Sequence, residues 1–243
     1  MKIKTLIFLF LYNLKALLSS DGYPGCGFDL RQKTVGTVRN GKVTKPHQYP
    51  WMVFVCGHYE EEFVEDSNGN IIDVRIKCGE ACGGTMIAPK YVLTAAHCVA
   101  KATTDNTLVL LGAHSIQQSM RKLDYVFVTN IFPHSCYDCD RKGELKRSPD
   151  IAILELVSYV EFGPKINAIC LPTIKEVENQ FVDESAIVAG WGVIDYKMNG
   201  SKTLGVSSDK LAEAVVKVRS NNWCKQRRNQ EFMKRYGIEY FYT

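Results

Sequence analysis

Beyond residue 20 the sequence has no apolar run long enough to cross a bilayer as a helix, which takes about 20 consecutive apolar residues. Net charge is almost absent too. The formal +4 of the 243-residue chain includes Lys2, Lys4 and Lys15, and residues 1–20 hold no acid. Without that segment 27 basic residues face 26 acidic ones, a balance of +1. Such a balance leaves no electrostatic footprint for nucleic acid or an acidic membrane, so neither is expected as a partner. Internal repeats and low-complexity tracts are missing, which argues against solenoid and fibrous architectures. With 46% hydrophobic and 23% charged residues, the composition also argues against a disordered chain.

What is present begins with Lys2 and Lys4 ahead of the apolar run at residues 5–14, followed by the small residues Ser19 and Ser20. This reads as a secretory signal peptide, residues 1–20, and places the protein outside the cell. Residues 21–37 are glycine-containing and polar and read as a short pro-segment. From Pro50 onward short apolar runs follow one another closely, at residues 51–56, 72–78, 84–88, 91–94, 107–112, 125–131, 151–156, 186–190 and 211–218. Many carry Val, Ile, Tyr or Phe and several alternate, so an all-β sandwich or barrel is expected. Ser67-Asn68-Gly69-Asn70 fits a hairpin turn. Residues 221–236 are polar and rich in Lys, Arg and Gln, and predict a short surface helix. Asn199-Gly200-Ser201 is a glycosylation acceptor sequence and predicts a surface loop.

Nine cysteines occur: Cys26, Cys56, Cys78, Cys82, Cys98, Cys136, Cys139, Cys170 and Cys224. In a secreted chain their default is disulfides, and an odd number leaves at least one without an internal partner. The histidine that stands out is His97, in Leu93-Thr94-Ala95-Ala96-His97-Cys98. A bond from Cys98 to Cys82 would staple the turn that carries it to the neighbouring strand, worth roughly 3 kcal/mol in the chain-entropy model. It would also fix the imidazole, as a general base requires. Further on, Asp150 opens Asp150-Ile151-Ala152-Ile153-Leu154. It is either a turn aspartate before an alternating strand or a carboxylate that holds the tautomer of His97. The other histidines, His47, His58, His114 and His134, read as structural.

In this order the motifs resemble the trypsin/chymotrypsin-like serine endopeptidases. The matching residues are Tyr49-Pro50-Trp51, Cys82-Gly83-Gly84, Thr94-Ala95-Ala96-His97-Cys98, Leu111-Gly112, Asp150-Ile151-Ala152-Ile153-Leu154, Ile169-Cys170-Leu171-Pro172 and Gly190-Trp191-Gly192. The resemblance implies two antiparallel six-stranded β-barrels, the second incomplete, within a protease domain at residues 38–243. It implies His97 as general base and Asp150 as its orienting carboxylate, acting on protein or peptide substrates after cleavage by an activating protease. It also implies a Cys26–Cys170 bond tying the pro-segment to the domain. Cys56–Cys78 would close the acidic insert at residues 60–66, and Cys136–Cys139 would pair locally, with a His134/Cys136/Cys139 metal site as the rival. No cofactor is expected, and no calcium in the short loop after Gly112. Activation falls either before Val38-Arg39-Asn40-Gly41, where Thr37 is a poor cleavage residue, or after Lys33, four residues too far upstream.

The resemblance also implies a serine in a Gly-Asp-Ser-Gly-Gly segment, and these 243 residues contain none. No Gly-x-Ser-x-Gly occurs anywhere, and Ser207 and Ser208 are poor substitutes. Cys224 lacks the downstream partner that the family would give it. The chain as written is therefore expected to be inactive. Two readings follow: a truncated view of a serine endopeptidase, or a non-catalytic homologue with a binding or regulatory role.

Overall fold

The computed structural model describes residues 26–27, 42–122, 124–137, 149–172, 181–199, 202–220 and 223. Eleven strands lie among them: β1 (Lys42–Val43), β2 (Met52–Glu65), β3 (Ile71–Ala88), β4 (Tyr91–Thr94), β5 (Leu108–Leu111), β6 (Tyr125–Pro133), β7 (Ala152–Leu156), β8 (Ser185–Gly190), β9 (Val193–Asn199), β10 (Lys202–Ser207) and β11 (Ala212–Lys217). A six-residue helix, α1 (Ile116–Arg121), sits between β5 and β6.

Six strands close into a barrel in the order β2-β3-β4-β7-β6-β5. Alternation places their side chains. In β7, Ala152, Leu154 and Leu156 are buried while Ile153 and Glu155 are less so. With Val53, Val55, Met86, Val92 and Val109 they fill the barrel interior. β5 is buried on both faces, because Leu108 and Leu110 point away from that interior. They pack with Phe54, Trp191 and Leu211, and the rings of Phe54 and Trp191 meet edge to face at 5.9 Å. This second cluster joins the barrel to a three-stranded sheet of order β1-β11-β8, beside which β9 and β10 form a separate ribbon. One closed barrel is thus present among the described residues. The second expected barrel is represented by a sheet and a ribbon, and in the sheet Ile187, Val188, Val215 and Val216 remain 38–44% exposed.

Two features hold the N-terminal part to the rest, one at that sheet and one at the segment carrying Cys170. Glu213 of β11 is buried and accepts hydrogen bonds from the Tyr49 hydroxyl and from Gln48 Nε2 at 2.9 Å, with Lys42 Nζ at 3.1 Å. Cys26 is disulfide-bonded to Cys170, and the neighbouring Gly27 N–H donates to Ala168 O at 2.8 Å. Cys56–Cys78 and Cys82–Cys98 are also bonded. Cys136 is exposed with a free thiol, and Cys139, its expected partner, lies outside the described residues. The expected helix at residues 221–236 lies outside them as well, apart from Trp223, as do both candidate activation sites.

β2 and β3 form one long hairpin rather than separate short strands. The acidic stretch of β2 has no apolar alternation of its own and becomes strand by pairing with β3, from Tyr59↔Cys78 to Glu65↔Ile71. At the tip Asp66 accepts from the backbone N–H groups of Asn68 and Asn70 and from the Asn70 side chain, at 2.8–3.1 Å. These bonds, those of Asn70 first, hold its carboxyl below the usual range. Gly69 supplies the left-handed residue that the turn needs, at φ 81°.

Near the junction of barrel and sheet, His47 and His114 each bury an Nδ1 atom that has no hydrogen-bond partner. Burial, then Lys165, pushes His47 below the usual imidazole value of 6.5, opposed by a bond with the Gly112 backbone. Burial, then Lys210 and His47, does the same for His114, opposed by Asp209. A folded-state value below the unfolded one means that the unfolded chain binds more protons between the two, so stability rises with pH across that window. Both histidines are therefore expected to cost stability as pH falls below about 6.5. Urea midpoints measured at neutral pH and near pH 5 check this. His47→Gln/His114→Gln should flatten the decline, and an unchanged slope would remove these histidines as its cause.

Candidate active site

β4 and β7 are antiparallel neighbours in register Thr94↔Ala152. His97 lies three residues after Thr94 and Asp150 two before Ala152, so strand pairing alone brings both to the same end of the barrel. The chain leaves β4 through Ala95, which is extended, and enters a 3-10 turn at Ala96–Val99. Thr94 Oγ1 donates to Gly83 O at 2.9 Å, fixing the exit from β4. Ala96, Cys98 and Val99 point inward and are buried, which leaves His97 directed outward on the turn.

Cys98 is bonded to Cys82 of β3, so the turn is fastened from behind. On the same side the backbone runs close to β2: a Cβ on Gly57 would lie 1.9 Å from the Cys98 carbonyl oxygen. Only glycine fits there.

Asp150 makes two contacts with His97. Oδ1 accepts the His97 backbone N–H at 2.8 Å, and Oδ2 lies 2.5 Å from Nδ1. A carboxylate can only accept, so Nδ1 carries the proton and Nε2 is left with a basic lone pair. The Asp150 side chain is 19% exposed and that of His97 is 39% exposed, so the carboxylate is partly shielded while the imidazole reaches solvent. This arrangement can take a proton at Nε2 and stabilise the imidazolium that results. Nε2 lies 3.5 Å from Cys98 Sγ and 4.0 Å from Cys82 Sγ. Cys82, His97 and Cys98 cluster closely enough to hold a metal ion. Both sulfurs, however, are spent in the disulfide and are not thiolate ligands.

The His134 backbone N–H donates to Ile151 O at 2.9 Å, one residue from Asp150, while its ring stays in its own turn, where Nδ1 accepts the Cys136 N–H at 3.1 Å. Sequence reasoning missed Gly57, whose importance depends on a contact 41 residues away in the chain. It also missed the Lys42–Gln48–Tyr49–Glu213 cluster, which has no local pattern.

A histidine just after one barrel strand and an aspartate just before its neighbour, with a cystine behind the histidine, form a hydrogen-bonded pair able to exchange a proton at the open end of the barrel. The Trypsin family model matches residues 38–238. The chain belongs to that family, the trypsin-like serine proteases. It is 31% identical to Melanization protease 1 of Drosophila melanogaster over 70% of this chain and 41% of the relative. It is 32% identical to Serine protease grass of Drosophila melanogaster over 88% of this chain and 52% of the relative. The chain thus spans about half the length of these curated relatives. The solved structure of neuropsin, a serine protease of mouse brain, superposes with a TM-score of 0.51 at 23% identity. That superposition covers 76% of this chain and 67% of neuropsin and establishes the shared fold.

Proposed function

We propose that this chain carries the base-bearing half of a secreted serine endopeptidase. His97 Nε2 accepts the proton of a serine hydroxyl as it attacks a peptide carbonyl, then returns it to the leaving amine. Asp150 holds His97 in the tautomer that permits this and stabilises the imidazolium. The observation that carries this reading is the double contact of Asp150 with the imidazole and with the backbone N–H of the same residue. A turn-capping aspartate would need only the second. Three disulfides and the apolar leader favour secretion. Cleavage by an activating protease between residues 27 and 42 would leave the pro-segment attached through Cys26–Cys170.

The nucleophile sets the test. A polypeptide of these 243 residues alone offers neither the serine segment nor its oxyanion-hole amides. It is expected to hydrolyse peptide substrates at least about 10⁶-fold more slowly than an intact triad. Turnover of casein and of peptide nitroanilides, alongside labelling by a fluorophosphonate, checks this. The protein purified from its source should label at a serine encoded beyond the codon for Thr243, and the 243-residue polypeptide should not label at all. A stable secreted product that labels in no form would sink the endopeptidase reading in favour of a non-catalytic homologue.

A further inference from the structure

The hairpin of β2 and β3 runs past the barrel, and its two outer edges differ. Beyond Cys56 on β2, and before Gly84 on β3, each strand pairs among the described residues only with the other. Each therefore turns outward a row of backbone N–H and C=O groups that no third strand covers, the condition under which a further strand adds.

Charge separates the two edges. From Glu60 to Asp66 the chain carries five acids and no base. Two copies of that edge side by side would set carboxylate against carboxylate, which is destabilising. The outer edge of β3 reads Ile71-Ile72-Asp73-Val74-Arg75-Ile76-Lys77, one acid against two bases. Ile71, Ile72 and Val74 there are 58%, 64% and 44% exposed, an apolar edge of the kind that associates.

This stretch is complementary to itself read backwards. Laid antiparallel about Val74, Asp73 of each copy faces Arg75 of the other. Ile72 faces Ile76, Ile71 faces Lys77, and Val74 meets Val74. No like charges oppose one another. A two-residue slip sets Asp73 against Asp73 in one direction and Arg75 against Arg75 in the other. A one-residue slip turns the apolar face of one copy to the charged face of its neighbour. Alternation puts Ile72, Val74 and Ile76 on one face, with Phe63 opposite Val74, so the pair would carry an apolar strip across four strands. Asp73, Arg75 and Lys77 share the other face, where Arg75 Nε lies 3.4 Å from Asp73 Oδ2. The two acidic β2 strands end up three strand spacings apart, about 14 Å. That exceeds the Debye length of about 8 Å at physiological salt, so their repulsion is largely screened, while the Asp73–Arg75 contacts span a single spacing.

We propose that the outer edge of β3, residues 71–77, is a self-association surface through which two copies of this chain form a two-fold dimer with a continuous four-stranded ribbon. The paired stretch ends seven residues before Gly84, where β4 takes the edge. Residues His97 and Asp150 take no part in the pairing.

The test is sedimentation velocity of the full chain. A contact this small is weak, so concentrations from about 10 µM to about 1 mM are scanned, and a reversible dimer is expected. Asp73→Arg and Arg75→Asp should each raise the dimer Kd at least about tenfold, because each sets like charges face to face twice. Mixed in equal amounts, these two variants should form a heterodimer, since every arginine then faces an aspartate. Val74→Lys, which sets two lysines together on the two-fold axis, is a second route to the monomer. Glu65→Gln on β2 should leave the dimer unchanged. These side chains are exposed, and an unchanged melting temperature establishes that each variant folds. A chain that stays monomeric throughout would overturn the proposal, as would association that persists in all three β3 variants. So would a dimer that survives denaturing electrophoresis without reductant, because a disulfide would then be its cause.

Discussion

Asparagine in place of Asp150 is expected to lower kcat by about 10⁴ in the form of the protein that reacts with fluorophosphonate, with the fold intact. The size follows from which atom can go where. One side-chain oxygen must stay on the His97 backbone N–H, a fixed donor 2.8 Å away. That leaves the amide nitrogen facing Nδ1, where Oδ2 now lies. Two donors cannot share that line, so Nδ1 becomes the acceptor and the ring proton moves to Nε2. The atom that should take the serine's proton then already carries one. The loss should fall on kcat with KM little changed, because neither atom touches a bound substrate. Progress curves for the variant and the parent settle it, and a loss below about tenfold would remove Asp150 from the mechanism.

Alanine at Gly57 is the second large effect. Its Cβ would lie 1.9 Å from the Cys98 carbonyl oxygen and 3.1 Å from the carbonyl carbon. These are backbone atoms in a turn fastened by the Cys82–Cys98 bond, so no side chain can rotate away. Either β2 or the His97 turn has to move. The cost is expected to be at least about 2 kcal/mol, at the upper end for overpacked sites. A shift of about 1 Å at His97 would remove about 10²-fold from kcat/KM on top of the lost stability. Gly83→Ala is the matched control, since nothing lies within 4 Å of its added methyl. Denaturant midpoints and kcat/KM for both variants provide the check. A Gly57→Ala protein as stable and active as Gly83→Ala would refute the packing argument.

The barrel was largely legible because its strands bury alternate side chains. Residues 91–94 and 151–156 announce themselves by pattern, and the strands found there differ by at most a residue at the ends. Ser67 to Asn70 was legible as a turn from its Asn and Gly residues, and the structure adds Asp66, whose carboxylate accepts from the backbone N–H groups of Asn68 and Asn70. What stayed hidden depends on distant partners. The acidic half of β2 is strand only because β3 lies beside it. β9 and β10 pair with each other, Asn199 opposite Lys202, and neither was among the apolar runs of the sequence; Gly200 and Ser201 of the glycosylation acceptor between them lie outside the described residues. Helix α1 is too short for its periodicity to register, and its start is fixed from afar. Ser115 accepts from Gln118 N, while Asp209 accepts from Ser115 Oγ and from Gln117 N. The pairing of His97 with Asp150 was suggested by residue order and family resemblance, and the Thr94↔Ala152 register supplies its physical reason.

The strand order has a consequence for when the site comes into being. β7 is the last of the six barrel strands in the chain, yet it sits between β4 and β6. Without residues 152–156 the ring would be open between β4 and β6, and no ladder would bring Asp150 to the imidazole of His97. Insertion of β7 closes the ring, and the same hydrogen-bond ladder delivers Asp150 to its histidine. The acid–base couple therefore works as a latch detector: it exists only in molecules whose ring has shut.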